Sequence, residues 1–113
     1  MGRSDLLYVQ HMLQAVERLE SYIEGVEWTA FAENEVLQDA IMRQLEILGE
    51  AAGRISRERT QQFREIPWSQ VTGLRHKLIH HYFVVDLEVV WASATEDAPQ
   101  LKPHLIEMIR ELQ

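Results

Sequence analysis

Apolar residues recur at intervals of three and four along most of this chain, the spacing of one face of an α-helix. Leu6, Val9, Leu13, Val16, Leu19 and Ile23 form the first stripe. Ser4 stands where an N-cap is expected, Asp5 falls in the first turn, and Gly25 marks the end. After a connection over Trp28 to Asn34, Leu37, Ile41, Leu45, Leu48, Ala52 and Ile55 predict a long second helix over about Val36 to Ser56. Gly49, Ala51, Ala52 and Gly53 make a small-residue patch within it. A helix-interior glycine costs about 1 kcal/mol relative to alanine. Two of them so close together predict that another helix approaches there.

The stretch from Ser56 to Glu65 is polar and basic, a short helix at most. Ile66-Pro67 ends it, because the residue before proline avoids the helical region. Trp68 is the predicted core anchor, and Ser69 the predicted cap of a helix closing near Tyr82, with Leu74, Leu78 and Val85 facing inward. Phe83-Val84-Val85 suits a short strand, but the pattern offers it no partner. Asp86 reads as the N-cap of a further helix whose inner face is Leu87, Val90, Trp91 and Ala94. Pro99 and Pro103 are expected to break that helix and open a last one along Leu101, Leu105, Met108 and Ile109. The expected fold is all-α: a single domain over residues 1–113, an up-and-down bundle of four to five helices.

Composition narrows the function classes. The chain has no cysteine, which excludes a disulfide framework, a thiolate zinc site and a cysteine nucleophile. No signal peptide is evident, and no apolar run approaches the roughly 20 residues of a spanning helix, so the expectation is a cytoplasmic protein without a membrane partner. The formal charge of −7 argues against a general affinity for nucleic acid. Its distribution is uneven. Residues 43–82 hold seven basic against four acidic side chains, a surplus of three inside an otherwise acidic chain. That suits a narrow anion site better than a broad DNA-binding face.

Candidate chemistry concentrates in the basic middle, where Arg75, His76, Lys77, His80, His81 and Tyr82 lie within eight residues. On an ideal helix Arg75 and Tyr82 share one face and His76 and His80 a neighbouring one, while Arg75 and His80 diverge by about 140°. They meet only if the arginine reaches round or a second copy of the helix supplies the other half. Glu46 and Glu50, four apart on the second helix, are candidates to orient an arginine by ion pairing. Three readings compete: a structural ion-pair cluster; a metal site through His76, His80 and His81, which adjacent histidines about 100° apart serve poorly; and RNA cleavage without a metal or other cofactor. In the last, a histidine takes the proton of a ribose 2′-hydroxyl and an arginine steadies the phosphate.

Arg75-x4-His80-x-Tyr82 resembles the signature of HepT-like toxins in the HEPN superfamily. Flanking residues resemble that family's pattern too: Ile66-Pro67-Trp68, Gly73-Leu74-Arg75, Tyr82-Phe83-x-Val85-Asp86, Val90-Trp91, and Leu45 to Ala52 on the earlier helix. One position departs, since the residue after the arginine, most often Asn in the family, is His76. The resemblance implies a HEPN-like helical domain, a homodimer whose motif segments line one cleft, and an RNA substrate. It implies Arg75 as the phosphate-stabilising residue and His80 as the proton-transfer residue. His76, Lys77, His81, Glu46 and Glu50 are then supporting or RNA-contacting residues. It further implies a partner, a minimal nucleotidyltransferase antitoxin that silences the toxin by attaching AMP to Tyr82. The alternative is a non-catalytic module of the same superfamily that binds a nucleotide or a partner protein through the same cleft.

Overall fold

Helix α3 (Glu35–Gly53) is the element against which most of the others pack. The structure is a computed structural model that describes residues 2–80 and 84–113. Helix α1 (Gly2–Ile23) lies along α3 and also along α8 (Ala98–Leu112). Short helices fill the rest: α2 (Trp28–Ala32), α4 (Arg57–Gln62), α5 (Trp68–Thr72) and α6 (Leu74–Leu78). Among the described residues the fold is all-α apart from one two-residue pair of strands. Its long elements are α1, α3 and the run from α7 (Leu87–Ala92) into α8.

The core is the meeting of the predicted stripes. Val9, Val16 and Leu19 of α1 and Ile41, Leu45 and Leu48 of α3 are buried, with Leu101, Leu105 and Met108 of α8. Full burial of each such side chain contributes roughly 1.5–3 kcal/mol, so these stripes account for why the long helices associate. Gly25, at φ +72°, ends the first helix as expected. Asn34 and Ser56 cap α3 and α4 by accepting from the N–H groups of Leu37 and Arg59. Trp68 is half-buried against the core and donates its indole N–H to the carbonyl of Phe63 at 2.9 Å.

Four expectations are corrected. Ser4 does not cap α1, which begins at Gly2; Asp5 does fall in the first turn, but it is buried, and its carboxylate accepts from the Ser56 N–H at 2.9 Å and the Ser56 hydroxyl at 2.7 Å, with Arg59 Nε 3.8 Å away. The supposed connection after α1 contains α2, whose Phe31 is fully buried with its ring centroid 4.7 Å from that of Trp91. The prolines do not split the last helix. A π turn over Ser93–Asp97 joins α7 to α8, with the Ala98 N–H reaching back five residues to Ser93. The widened turn eases the clash that a proline ring makes with the carbonyl four residues earlier, so Pro99 sits in the first turn of α8 and only Pro103 is interior.

The fourth correction concerns the motif segment. Ser69 lies inside α5 rather than capping it, and the helix pauses at Gly73 and stops at Leu78. Ile79–His80 (β1) then pairs antiparallel with Val84–Val85 (β2), Ile79 opposite Val85 and His80 opposite Val84. The β-branched run therefore has a partner, made from residues that helical periodicity assigns to the helix. Asp86 closes the base of the ladder by donating its N–H to Leu78 O at 3.1 Å, and its carboxylate caps α7 at the Val89 N–H.

The small-residue patch divides in two. A Cβ on Gly49 would stand 2.9 Å from the backbone carbonyl of Val71, so α5 rests directly on α3 there. At Gly53 the nearest atom is a methyl of Thr72 at 3.9 Å, ordinary contact. Gly49→Ala is therefore expected to destabilise by roughly 1–2 kcal/mol, overpacking outweighing the gain in helix preference. Gly53→Ala should be neutral or stabilising by up to about 1 kcal/mol. Urea unfolding of both variants checks this contrast; equal effects would refute the close approach.

Candidate functional site

The contact at Gly49 sets the geometry of the site. Because α5 sits tight on α3, the joint between α5 and α6 brings Thr72 and Arg75 over Arg43, Glu46 and Glu50. Together they line a surface cavity of about 490 Å³. Glu46 and Glu50, singled out by their spacing, thus share one cavity with the motif arginine. Arg43, Gly49 and Thr72 were not anticipated as lining residues. Arg43 was legible only as a basic residue three positions before Glu46, which places the two on one face of a helix.

Two arginines, Arg43 and Arg75, and two carboxylates, Glu46 and Glu50, line this cavity, so what matters is which of them are already paired. Glu50 near the end of α3 is engaged by Arg54, the residue just past that helix, their charged atoms 3.5 Å apart and both side chains exposed. Arg54 in turn lies over the ring of Tyr8, 5.9 Å from its centroid. Among the described residues no carboxylate comes within 4.0 Å of the guanidinium of Arg75, which is exposed. The expected ion pair from Glu46 or Glu50 to Arg75 is therefore not formed, and the guanidinium keeps its donors for a ligand. An arginine held in this way matches the oxygens of a phosphate in two-point fashion.

The remaining motif residues are placed as follows. His76 is exposed on α6. Lys77 turns to the other side of that helix, its Nζ 3.6 Å from Asp97 of the π turn, and lines a different cavity. His80 is described through its backbone, in β1 opposite Val84, so it lies beyond the motif helix and the 140° divergence does not apply. His81 and Tyr82 lie outside the described residues. Among the described residues no three His, Asp or Glu side chains gather in a metal-ligating group. None forms a helix long and apolar enough to cross a membrane.

Comparison with known proteins adds a second line of evidence. Residues 12–108 match the family model described as Ribonuclease HepT-like. A protein of Caldanaerobacter subterraneus subsp. tengcongensis named as a candidate RNase is 33% identical over 104 residues, covering 92% of this chain and 93% of its own. The probable ribonuclease HepT of Thermococcus cleftensis is 37% identical over 102 residues, covering 90% of this chain and 93% of its own. A Methanocaldococcus jannaschii protein named as a gamma-glutamylcyclotransferase and candidate RNase is 34% identical over 112 residues, which make up 99% of this chain but 50% of that protein. No solved structure matches the chain.

Proposed function

The chain belongs to the HepT-like ribonuclease family, and from that premise we propose that it is an endoribonuclease acting without a metal, the toxin half of a toxin–antitoxin pair. The observation that carries the reading is Arg75, exposed and free of a described carboxylate partner in a cavity formed where α5 and α6 meet α3. Its role is to hold the scissile phosphate and offset the charge that builds as the ribose 2′-hydroxyl attacks. His80, five residues on, accepts that proton and returns one to the leaving 5′-oxygen. The bond formed joins the 2′-oxygen to phosphorus, giving a 2′,3′-cyclic phosphate; the bond broken is that from phosphorus to the 5′-oxygen. DNA lacks the attacking group and is not cut.

The active form in this proposal is a homodimer whose two motif segments face each other across a two-fold axis. Supporting it, Val84, the residue paired with His80, is left 57% exposed beside the motif, an apolar side chain that a second copy would cover. Tyr82 is the proposed point of control: a cognate minimal nucleotidyltransferase attaches AMP to its hydroxyl, and the added anion competes with RNA phosphate for Arg75.

The reaction is tested by incubating purified protein with a defined RNA in excess EDTA. Cleavage leaving cyclic-phosphate ends, and lost when the single 2′-hydroxyl at the cut is replaced by hydrogen, is the expected outcome. Cleavage that needs added divalent ion contradicts the metal-free route, and binding without cleavage favours the non-catalytic module. Intact-mass analysis of protein co-expressed with the nucleotidyltransferase tests the control step. An unmodified Tyr82 in a silenced toxin would overturn it. His76→Asn, which restores the residue usual in the family, should leave cleavage intact or raise it; complete loss would reassign proton transfer to His76.

A further inference from the structure

Where α1 lies along α3, a further cavity of about 150 Å³ is lined by Tyr8, His11, Ile47, Glu50, Ala51 and Arg54. It adjoins the candidate site, because Glu50 lines both this cavity and that of Arg75. Helical spacing explains the adjacency. Glu46 and Glu50 share the face that carries the Arg75 cavity, while Ile47, Ala51 and Arg54 follow one another at intervals of three and four beside it. Three flat π groups meet there. The rings of Tyr8 and His11 lie edge to face with centroids 6.2 Å apart, and the guanidinium of Arg54 stands over Tyr8 at 5.9 Å. Tyr8 is half-buried against the core, whereas His11 and Arg54 are exposed, so the outer face of the tyrosine ring is covered by a side chain free to leave. The other partner of Arg54 is Glu50, and with the two side chains 58% and 66% exposed such a pair holds weakly.

We propose that this cavity is the subsite for one nucleotide of the RNA strand beside the scissile phosphate, an inference that rests on the reading of the Arg75 cavity as the place of cleavage. A single strand with a phosphate at Arg75 lays its adjoining nucleotides along the neighbouring surface. Unpaired bases are held there by stacking on aromatic rings and arginine planes. Arg54 leaves Tyr8 and Glu50 for a phosphate oxygen of that nucleotide, a charge-assisted contact with two-point geometry. The base takes the vacated face of Tyr8, with the ring of His11 as a side wall. The space suits a single ring, since a cavity of roughly 150 Å³ accepts a benzene-sized molecule. Glu50, between the two cavities, competes with the phosphate for Arg54 and so tempers affinity. Stacking of this kind tolerates every base, so the subsite positions the strand rather than selecting a sequence.

The test measures binding of the full chain to a short fluorescent RNA whose 2′-hydroxyl at the cut is replaced by hydrogen. A series of such RNAs carries an abasic nucleotide at each position flanking the cut in turn. At one position the abasic RNA should bind about 5–20-fold more weakly, within the range for one base stacked on an aromatic ring. Tyr8→Leu keeps an apolar side chain but removes the π face. It should weaken the intact RNA by a similar factor and lose its discrimination at that one position. Arg54→Ala should weaken binding about 3–10-fold, whereas Glu50→Gln should tighten it about twofold, although both break the same ion pair. These two exposed positions carry the test should Tyr8→Leu unfold. Wild-type affinity in Tyr8→Leu, abasic losses that Tyr8→Leu leaves unchanged, or shifts of the same sign in Arg54→Ala and Glu50→Gln would each overturn the subsite. Unmodified RNA that is cut by a protein showing no such coupling rejects the subsite alone. RNA bound with the expected pattern but never cut rejects the reaction and retains the subsite, and RNA neither bound nor cut overturns both.

Discussion

Arg75→Ala is expected to lower RNA cleavage by about 10²–10³-fold, the range for removing one preorganised stabiliser of developing charge. The loss should appear with little change in stability, because Arg75 is exposed and no described carboxylate pairs with it; surface changes of this kind stay within about 0.5 kcal/mol. That separation distinguishes a chemical role from a structural one. Arg75→Lys keeps the charge but not the planar two-point grip, so it should recover only part of the rate. His80→Ala should lose about 10²–10⁴-fold, the usual contribution of a positioned acid–base group. Single-turnover cleavage alongside thermal unfolding checks both. An Arg75→Ala protein that cuts at the wild-type rate would remove the guanidinium from the mechanism.

Asp5→Ala is expected to destabilise the fold by roughly 2–4 kcal/mol, since hydrogen bonds to a charged group contribute about 1.5–3 kcal/mol each and removing one partner strands the other. Asp5 accepts from the backbone and the hydroxyl of Ser56, with Arg59 close by, and thereby fastens α1 to the start of α4. Ser56 also caps α4, so losing Asp5 loosens that cap as well. In a chain of 113 residues the loss corresponds to roughly 10–20 °C in Tm. Asp5→Asn keeps one acceptor oxygen and should fall between the variant and the wild type. A change below about 0.5 kcal/mol for Asp5→Ala would mean that water replaces the carboxylate without penalty.

Asp5 also marks where reading the chain locally reaches its limit. The stripes of α1, α3 and α8 were legible because burial on one helix face imposes a spacing that any window of the sequence reveals. The Asp86 cap and the end of α1 at Gly25 were legible for the same reason, each depending on residues a few positions apart. The pairing of Asp5 with Ser56 spans 51 positions and leaves no local signature. Phe31 is similar: it is buried because Trp91 comes to meet it, not because of its neighbours in sequence. The strand pair was missed for another reason. Ile79 and His80 continue a helical spacing, yet the β-branched residues at 84 and 85 draw them into a ladder, a tertiary preference overriding a local one.

At the candidate site, the motif was legible and its setting was legible in part. Glu46 and Glu50 do share a cavity with Arg75. Their spacing said nothing of Arg54, which engages Glu50, or of Asp97, which holds Lys77 on the far side of α6. The glycine at 49 linked the two levels. Its cost within a helix predicted a close neighbour, and that neighbour is the segment that delivers Arg75.

The account rests on the proposed dimer, in which one chain's Arg75 works with the other chain's His80 across the two-fold axis. Arg75→Ala and His80→Ala chains carrying different tags, co-expressed and purified as the heterodimer, contain one intact pair and one doubly broken pair. The account predicts that this heterodimer regains about half of the wild-type rate, although each variant alone is inactive. A heterodimer as inactive as its parents would contradict it.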